Sequence, residues 1–281
     1  MYIKAYSFAS HILRLESDTP VYNSNMFESF VCDPSCEADI TVKIKHSAMP
    51  EKVGTLIFRD SVSEYYENGD TRYYYTSFPS ISGSESLACR VTRNEEITLI
   101  VAGEYELWDS MVNFALNYTQ LFYYKGIATM HCSCVEVNGK ALLFAGDKHV
   151  GKSTQAALWS CFRGAKIING DRIALSLSEN GITAHGIPVC GSSGIALNES
   201  LEVEAIILPG KADVSTITRL DTAEAFKSVI GNLTYNQNDI VQLETALDFA
   251  QKIAEKVPVY SLMCTRDESA VKILEVQLWQ S

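Results

Sequence analysis

The segment Gly146-Asp147-Lys148-His149-Val150-Gly151-Lys152-Ser153 matches the pattern G-x-x-x-x-G-K-[ST], and Thr154 follows it. From average residue frequencies, a chain of this length carries such a match by chance about once in a hundred. The chemistry that needs these residue types is the holding of phosphate. Consecutive backbone N–H groups must turn inward around phosphate oxygens, which requires glycine where a Cβ would collide or φ is positive; Gly146 and Gly151 meet that need. A helix start behind the loop adds about half a positive charge. Lys152 would set a compact ammonium between the β- and γ-phosphates, and the Ser153 hydroxyl is suited to ligate Mg²⁺. The stretch from Gly146 to Thr154 is therefore the candidate nucleotide cradle. His149 within it reads equally well as a phosphate contact or as an exposed loop residue.

A loop of this kind works only between a buried strand and a helix. Ala141-Leu142-Leu143-Phe144-Ala145 supplies the strand, and Lys152 to Phe162 the helix. Triphosphate chemistry also needs a carboxylate for the metal at the end of a neighbouring strand. The apolar run at Ala165 to Ile168 leads through Asn169-Gly170 to Asp171, which could hold Mg²⁺ directly or through water. His131 enters by register. If Asn138-Gly139 is a two-residue hairpin turn, Val137 pairs with Lys140 and residue 131 falls opposite residue 146. Its imidazole would then stand near the first glycine of the loop, within reach of the γ-phosphate or a catalytic carboxylate.

These elements belong to the second half of the chain. Residues 1 to about 105 read as short strands: Tyr2 to Leu15, Asp39 to Lys45, Gly54 to Phe58, Tyr73 to Phe78, Leu87 to Val91 and Ile97 to Val101. Tyrosine-rich segments flank the turn Glu67-Asn68-Gly69-Asp70, which suits half-buried pleated surfaces. From Glu104 to Tyr124 apolar residues recur at spacings of three and four, predicting a helix that bridges two domains. Beyond the phosphate loop come strands at Ala205 to Leu208, Ser215 to Leu220 and Val257 to Met263. Helices are expected at Ala223 to Ile230, Asp239 to Lys256 and Glu268 to Leu278. The order predicts a β-rich N-terminal domain over 1–105 and an α/β nucleotide-binding domain over 106–281.

His131-Cys132-Ser133-Cys134-Val135, Leu142 to Ser153, and Arg163 to Asp171 together resemble the core of the HPr kinase/phosphorylase family and its HPr-kinase-like relatives. That family shares a P-loop fold with phosphoenolpyruvate carboxykinases. His185-Gly186-Ile187-Pro188-Val189-Cys190-Gly191-Ser192-Ser193 is similar to the substrate-side segment of the smaller relatives. The resemblance implies ATP-dependent transfer of the γ-phosphoryl group to a serine-type hydroxyl in a protein, peptide or small molecule. It gives Lys152 and Ser153 the phosphate and Mg²⁺ roles, Asp171 the metal or base role, and His131 the role of the histidine that precedes the loop. Family members carry two adjacent acids where this chain has Gly170-Asp171. Either Asp171 does both jobs, or the base is another group such as Asp147. The arginine-glycine signature of true HPr kinases is also missing near Cys190. Under the kinase reading, the segment from His185 to Gly194 is a flexible loop that closes over the acceptor. Arg172 and Arg163 are candidates for a transition-state cation, with Arg163 reading more as a helix-end charge.

Composition sets the outer limits. The 281 residues carry 23 Lys+Arg against 34 Asp+Glu, a net charge of −11 that disfavours nucleic acid as a partner. No stretch approaches the roughly 18 apolar residues of a membrane span, and the first eight residues lack a secretory core, so a cytoplasmic location is expected. The eight cysteines sit mostly in apolar runs. Cys32, Cys36, Cys132 and Cys134 lack the two-residue spacing of zinc sites, so reduced thiols are expected, with Cys132 and Cys134 in the core. Homo-oligomerisation is left open. Two other functions fit the residues: an ATP-binding regulatory or scaffold protein with a degenerate kinase site, and a carboxykinase-like enzyme. The last would need additional basic groups for a dicarboxylic substrate, and the segment after Asp171 has few.

Overall fold

The computed structural model describes residues 1–78, 86–103, 106–178 and 181–280. They form a mixed α/β protein with two large sheets, divided into two compact units, Met1–Tyr118 and Thr119–Ser281. The sequence expectation had set the boundary at 105.

The first unit contains β1 (Tyr2–Phe8), β2 (His11–Ser17), β3 (Val21–Tyr22), β4 (Val31–Cys32), β5 (Ile40–His46), β6 (Thr55–Arg59), β7 (Ser63–Asn68) and β8 (Thr71–Phe78). They are followed by β9 (Ser86–Arg93), β10 (Glu96–Val101), β11 (Leu107–Trp108) and α1 (Asp109–Leu116). Nine of these strands make one sheet in the order β4-β1-β2-β5-β10-β9-β8-β7-β6. Alternation drives it: Ile40, Val42 and Ile44 of β5 and Ile97, Leu99 and Val101 of β10 all point inward. The single strand expected over Tyr2 to Leu15 is a hairpin. Ala9 and Ser10 reverse the chain at φ 51° and 63°, a turn lacking the usual glycine or asparagine.

The long helix expected from Glu104 is also corrected. Glu104 and Tyr105 lie outside the described residues, Leu107–Trp108 form the short strand β11 instead of a helical turn, and two short helices follow, α1 and α2 (Tyr118–Tyr123). Between them Asn117 adopts the left-handed conformation at φ 45°, which asparagine tolerates better than most residues.

The second unit continues with β12 (Ile127–Val137), β13 (Lys140–Ala145), α3 (Lys152–Arg163), β14 (Lys166–Asn169), β15 (Arg172–Ser178), β16 (Gly181–Gly186) and β17 (Ser200–Lys211). It ends with β18 (Thr216–Arg219), α4 (Thr222–Asn232), α5 (Ile240–Lys256), β19 (Val259–Cys264) and α6 (Glu268–Trp279). The long strands β12 and β17 are each shared by two sets of neighbours. One end of β12 pairs with β15 and the other with β13 and β14, while β17 pairs with β16, β13 and β19. Helices cover both faces. Trp159 of α3 and Leu274 of α6 pack with Phe144 and Ile207 in one apolar cluster. Phe249 and Ile253 of α5 pack with Leu143 and Ile206 in the other. Strands β15 and β16 have no counterpart in the sequence reading. The cap of α4 is Asp221, two residues before the expected start at Ala223, and it forms a reciprocal capping box with Glu224. Cys132 and Cys134 are fully buried in β12. Among the described residues, no helix is long and apolar enough to cross a membrane.

Candidate functional site

Strands β13, β17 and β19 lie side by side and parallel, with Leu142 opposite Ala205 and Ile206 opposite Val259. Each is apolar, because a strand at the centre of such a sheet is covered on both faces. Their carboxyl ends therefore reach the same edge, where open α/β sheets bind ligands. β13 delivers Gly146, β17 ends at Lys211, and β19 ends at Cys264 ahead of Thr265-Arg266. A cleft of about 630 Å³ opens there, lined by His131, the loop from Lys148 to Thr154, Gln155, Gly170 and Asp171, together with Ser192, Gly210, Lys211 and the stretch Cys264–Arg266. That volume lies in the range of about 300–1,000 Å³ common for small-molecule sites.

The loop has the backbone that its glycines imply. Gly146 and Gly151 have φ of 136° and 118°, and a β-carbon on Gly146 would stand 3.0 Å from Val150 Cγ2. His149 takes φ 70° without being glycine. The Lys152 ammonium is drawn back onto its own loop, donating to the Gly146 and Asp147 carbonyl oxygens at 2.8 and 2.9 Å. Burial lowers its pKa, and the attraction of Asp171 partly offsets this. The Ser153 and Thr154 side chains are exposed to the cleft.

The hairpin register follows the Asn138-Gly139 turn, whose residues have φ 54° and 76°. Val137 pairs with Lys140, and the ladder runs up to Cys132 opposite Ala145. His131 is the next residue, and there it pairs with Arg172 of β15. Asp171 reaches it through a side-chain-built turn. Fully buried Asn169 donates to the Ile187 carbonyl and accepts from the backbone N–H groups of Asp171 and Arg172 at 2.9 and 3.0 Å. The Cys132 N–H donates to the Asp171 carbonyl at 3.0 Å, locking the acid beside the histidine. Asp171 Oδ1 lies 3.5 Å from His131 Nε2, and Oδ2 lies 3.5 Å from Arg172 Nε. Burial, helped by Lys152 and Arg172, pushes the His131 pKa below its ordinary value against the pull of Asp171. The imidazole is therefore mostly neutral at pH 7.

A second acid at position 170 has no room. A β-carbon on Gly170 would stand 2.0 Å from Ser193 Oγ and 2.3 Å from Ser193 Cβ. Ser193 is fixed by donating to the Cys190 carbonyl at 2.6 Å and accepting from the Ile195 N–H at 3.2 Å. The expected flexible loop from His185 to Gly194 is thus corrected in its first part. His185 and Gly186 end strand β16, and the buried imidazole links Ser176 and Ser200 through contacts of 2.8 and 2.7 Å. Only the exposed turn Gly191–Ser193 borders the cleft, through Ser192.

The structure thus brings His131, Lys148, His149, Val150, Gly151, Lys152, Ser153, Thr154 and Asp171 to one cleft. Gly146 and Asp147 lie behind it as acceptors for Lys152, and the Asp147 side chain is exposed outside the lining. Arg163 is at the far end of α3, paired with Glu268 and Glu275. Gln155, Lys211, Thr265 and Arg266 were not anticipated. The segment after Asp171 holds few basic groups, and the cleft instead draws them from the ends of β17 and β19. Their one sequence signal is position just past an apolar strand.

No protein-family model matches the chain, and no curated protein matches it. Among solved structures it is similar to the Hpr(Ser) kinase/phosphatase from Coxiella burnetii, at 15% identity and a TM-score of 0.30, over 54% of this chain and 93% of that one. A superposition of that quality carries nothing about chemistry, which rests on the cleft itself.

Proposed function

We propose that this protein is an ATP-dependent kinase with the P-loop core of the HPr kinase and phosphoenolpyruvate carboxykinase type, transferring a γ-phosphoryl group to a serine-type hydroxyl. The observation that carries this reading is the grouping of Lys152, Ser153, Asp171 and His131 in one cleft at the carboxyl ends of parallel strands. Four lysine or arginine side chains and one carboxylate line it, which suits a polyanion larger than a single phosphate. Ser153 and Asp171 offer the hard oxygen donors that Mg²⁺ takes, and the metal would neutralise charge on the transferring phosphate. Among the described residues Asp171 is the sole carboxylate in the lining, and it is our candidate for receiving the acceptor proton. Neutral His131 beside it can share that proton.

A second reading has one specific observation in its favour. The closure of Gly170 by Ser193 leaves a single acid, as in a nucleotide-binding regulator that does not turn over. Radiolabelled ATP, Mg²⁺ and a cell extract separate the two. Label transfer to protein, peptide or small-molecule acceptors that disappears in Lys152→Ala supports the kinase. Tight ATP binding without turnover supports the regulator.

A further inference from the structure

We infer that Ser192 is a phosphoryl acceptor in cis, so that the protein phosphorylates its own cleft; this rests on the kinase reading above. A β-carbon on Gly191 would stand 2.9 Å from Asp171 Cγ and Oδ1, so the carboxyl group lies against the backbone that carries Ser192. Ser192 is exposed and lines the same cleft as Lys152 and Ser153. Its neighbour Ser193 has its hydroxyl committed to Cys190 and Ile195, whereas no hydrogen bond from the Ser192 hydroxyl is found among the described residues. The turn is held between Gly191 at φ 53° and Gly194 at φ 68°. A side chain is therefore presented to the nucleotide cradle beside the one carboxylate there.

The reaction is balanced with groups already invoked. The Ser192 Oγ attacks the γ-phosphorus of ATP, and the bond from that phosphorus to the β–γ bridging oxygen breaks. The electron pair leaves with ADP, and the hydroxyl proton passes to the Asp171 carboxylate and then to solvent. The product is phosphoserine at residue 192. A hydroxyl tethered inside the cleft needs no bimolecular encounter, an advantage on the order of 10⁵ M or more for aligned groups. Phosphoserine carries about −1.5 to −2 charges at neutral pH and would compete with a second γ-phosphate for Lys152. The modified protein therefore binds ATP at least about tenfold more weakly, since the phosphoserine and a second γ-phosphate repel each other at Lys152.

The test is incubation of the full chain with ATP and Mg²⁺, followed by phosphopeptide mapping and measurement of the rate at several protein concentrations. Phosphate on residue 192, formed at a first-order rate independent of protein concentration, is the expected result. Ser192→Ala should lower incorporation at least about tenfold, and Ser192→Thr should restore it at the same position. Phosphate at another residue, or a rate that rises with protein concentration, overturns the inference. So does an unmodified Ser192 in protein that binds and turns over ATP, an outcome that leaves the kinase reading standing. Failure to bind ATP at all overturns both.

Discussion

Replacing Gly170 with alanine tests the packing that shapes the acid side of the cleft. The added methyl meets Ser193 Oγ at 2.0 Å and Ser193 Cβ at 2.3 Å. Rotating the serine side chain removes the first clash but not the second, so the turn Gly191–Ser193 must move. Overpacking of this kind costs about 1–3 kcal/mol. Displacing the turn also weakens the bonds from Ser193 to Cys190 and from Gly170 to Ile195, at about 1 kcal/mol each. A total of about 3–5 kcal/mol follows, or a fall of about 1.5–2.5 M in the urea midpoint at a slope near 2 kcal/mol/M. Tryptophan fluorescence reads the right unit. Trp159 is fully buried and touches Trp279 edge-on, whereas Trp108 in the other unit is 39% exposed. Adding Ser193→Gly should recover the overpacking part of the loss, since the next neighbour of the new methyl, the Cys190 carbonyl, is at an ordinary 3.7 Å. Residual destabilisation of about 2–3 kcal/mol is expected, because the second glycine also removes the Ser193 hydroxyl bonds to Cys190 and Ile195. A Gly170→Ala protein within about 0.5 kcal/mol of the parent, or strict additivity in the double variant, would refute the contact. By the same contact, Gly170→Asp unsettles the turn before it adds a usable second acid.

Two further outcomes concern charge. In the nucleotide-free protein, His131 should titrate below 6.5 by NMR, and Asp171→Asn should lower it further by removing the group that raises it; a midpoint above 6.5 contradicts the burial argument. Because the folded value is depressed, the unfolded chain binds the proton more readily, so the His131 contribution to stability is lost as pH falls below 6.5 towards the folded pKa. Lys211→Ala and Arg266→Ala, both exposed at the cleft rim, should each weaken ATP binding about three- to fivefold at low salt, in keeping with exposed charge pairs worth about 1 kcal/mol or less. Calorimetric titration in high salt should erase most of that difference, and an effect that persists there would place them in direct, desolvated contact with the ligand.

What could be read from the sequence was what local chemistry dictates. Asn138-Gly139 is a strong turn signal, and it set the β12–β13 register that brings His131 to the cleft. The buried run Ala141 to Ala145 and the glycine loop specify the strand and helix on either side. Three features escaped because their causes are not local. Apolar spacing runs unbroken through Asn117, so periodicity could not reveal the left-handed residue that splits the helix. Asp171 read as a loop end, yet the buried amide of Asn169 holds the next two backbone N–H groups and the chain continues in the same direction along β12, starting β15 at once. Gly170 looked like a lost acid, and its steric reason sits more than twenty residues away in Ser193.

Under the kinase reading, Lys211 and Arg266 explain how an acidic chain would hold an anion. The net charge of −11 is spread over the sequence, and at physiological ionic strength charges more than about 8 Å away are largely screened. What a ligand meets is the local set. Parallel pairing of β13, β17 and β19 carries three chain segments, distant in sequence, to one edge, and each brings a cation just beyond its apolar strand. Lys148 and Lys152 arrive with the loop, Lys211 at the end of β17, and Arg266 two residues past β19. The amino terminus of α3 adds its partial charge at the same place. Topology, rather than composition, therefore sets the sign of the site, and among the described residues Asp171 is the one carboxylate that stands with these cations.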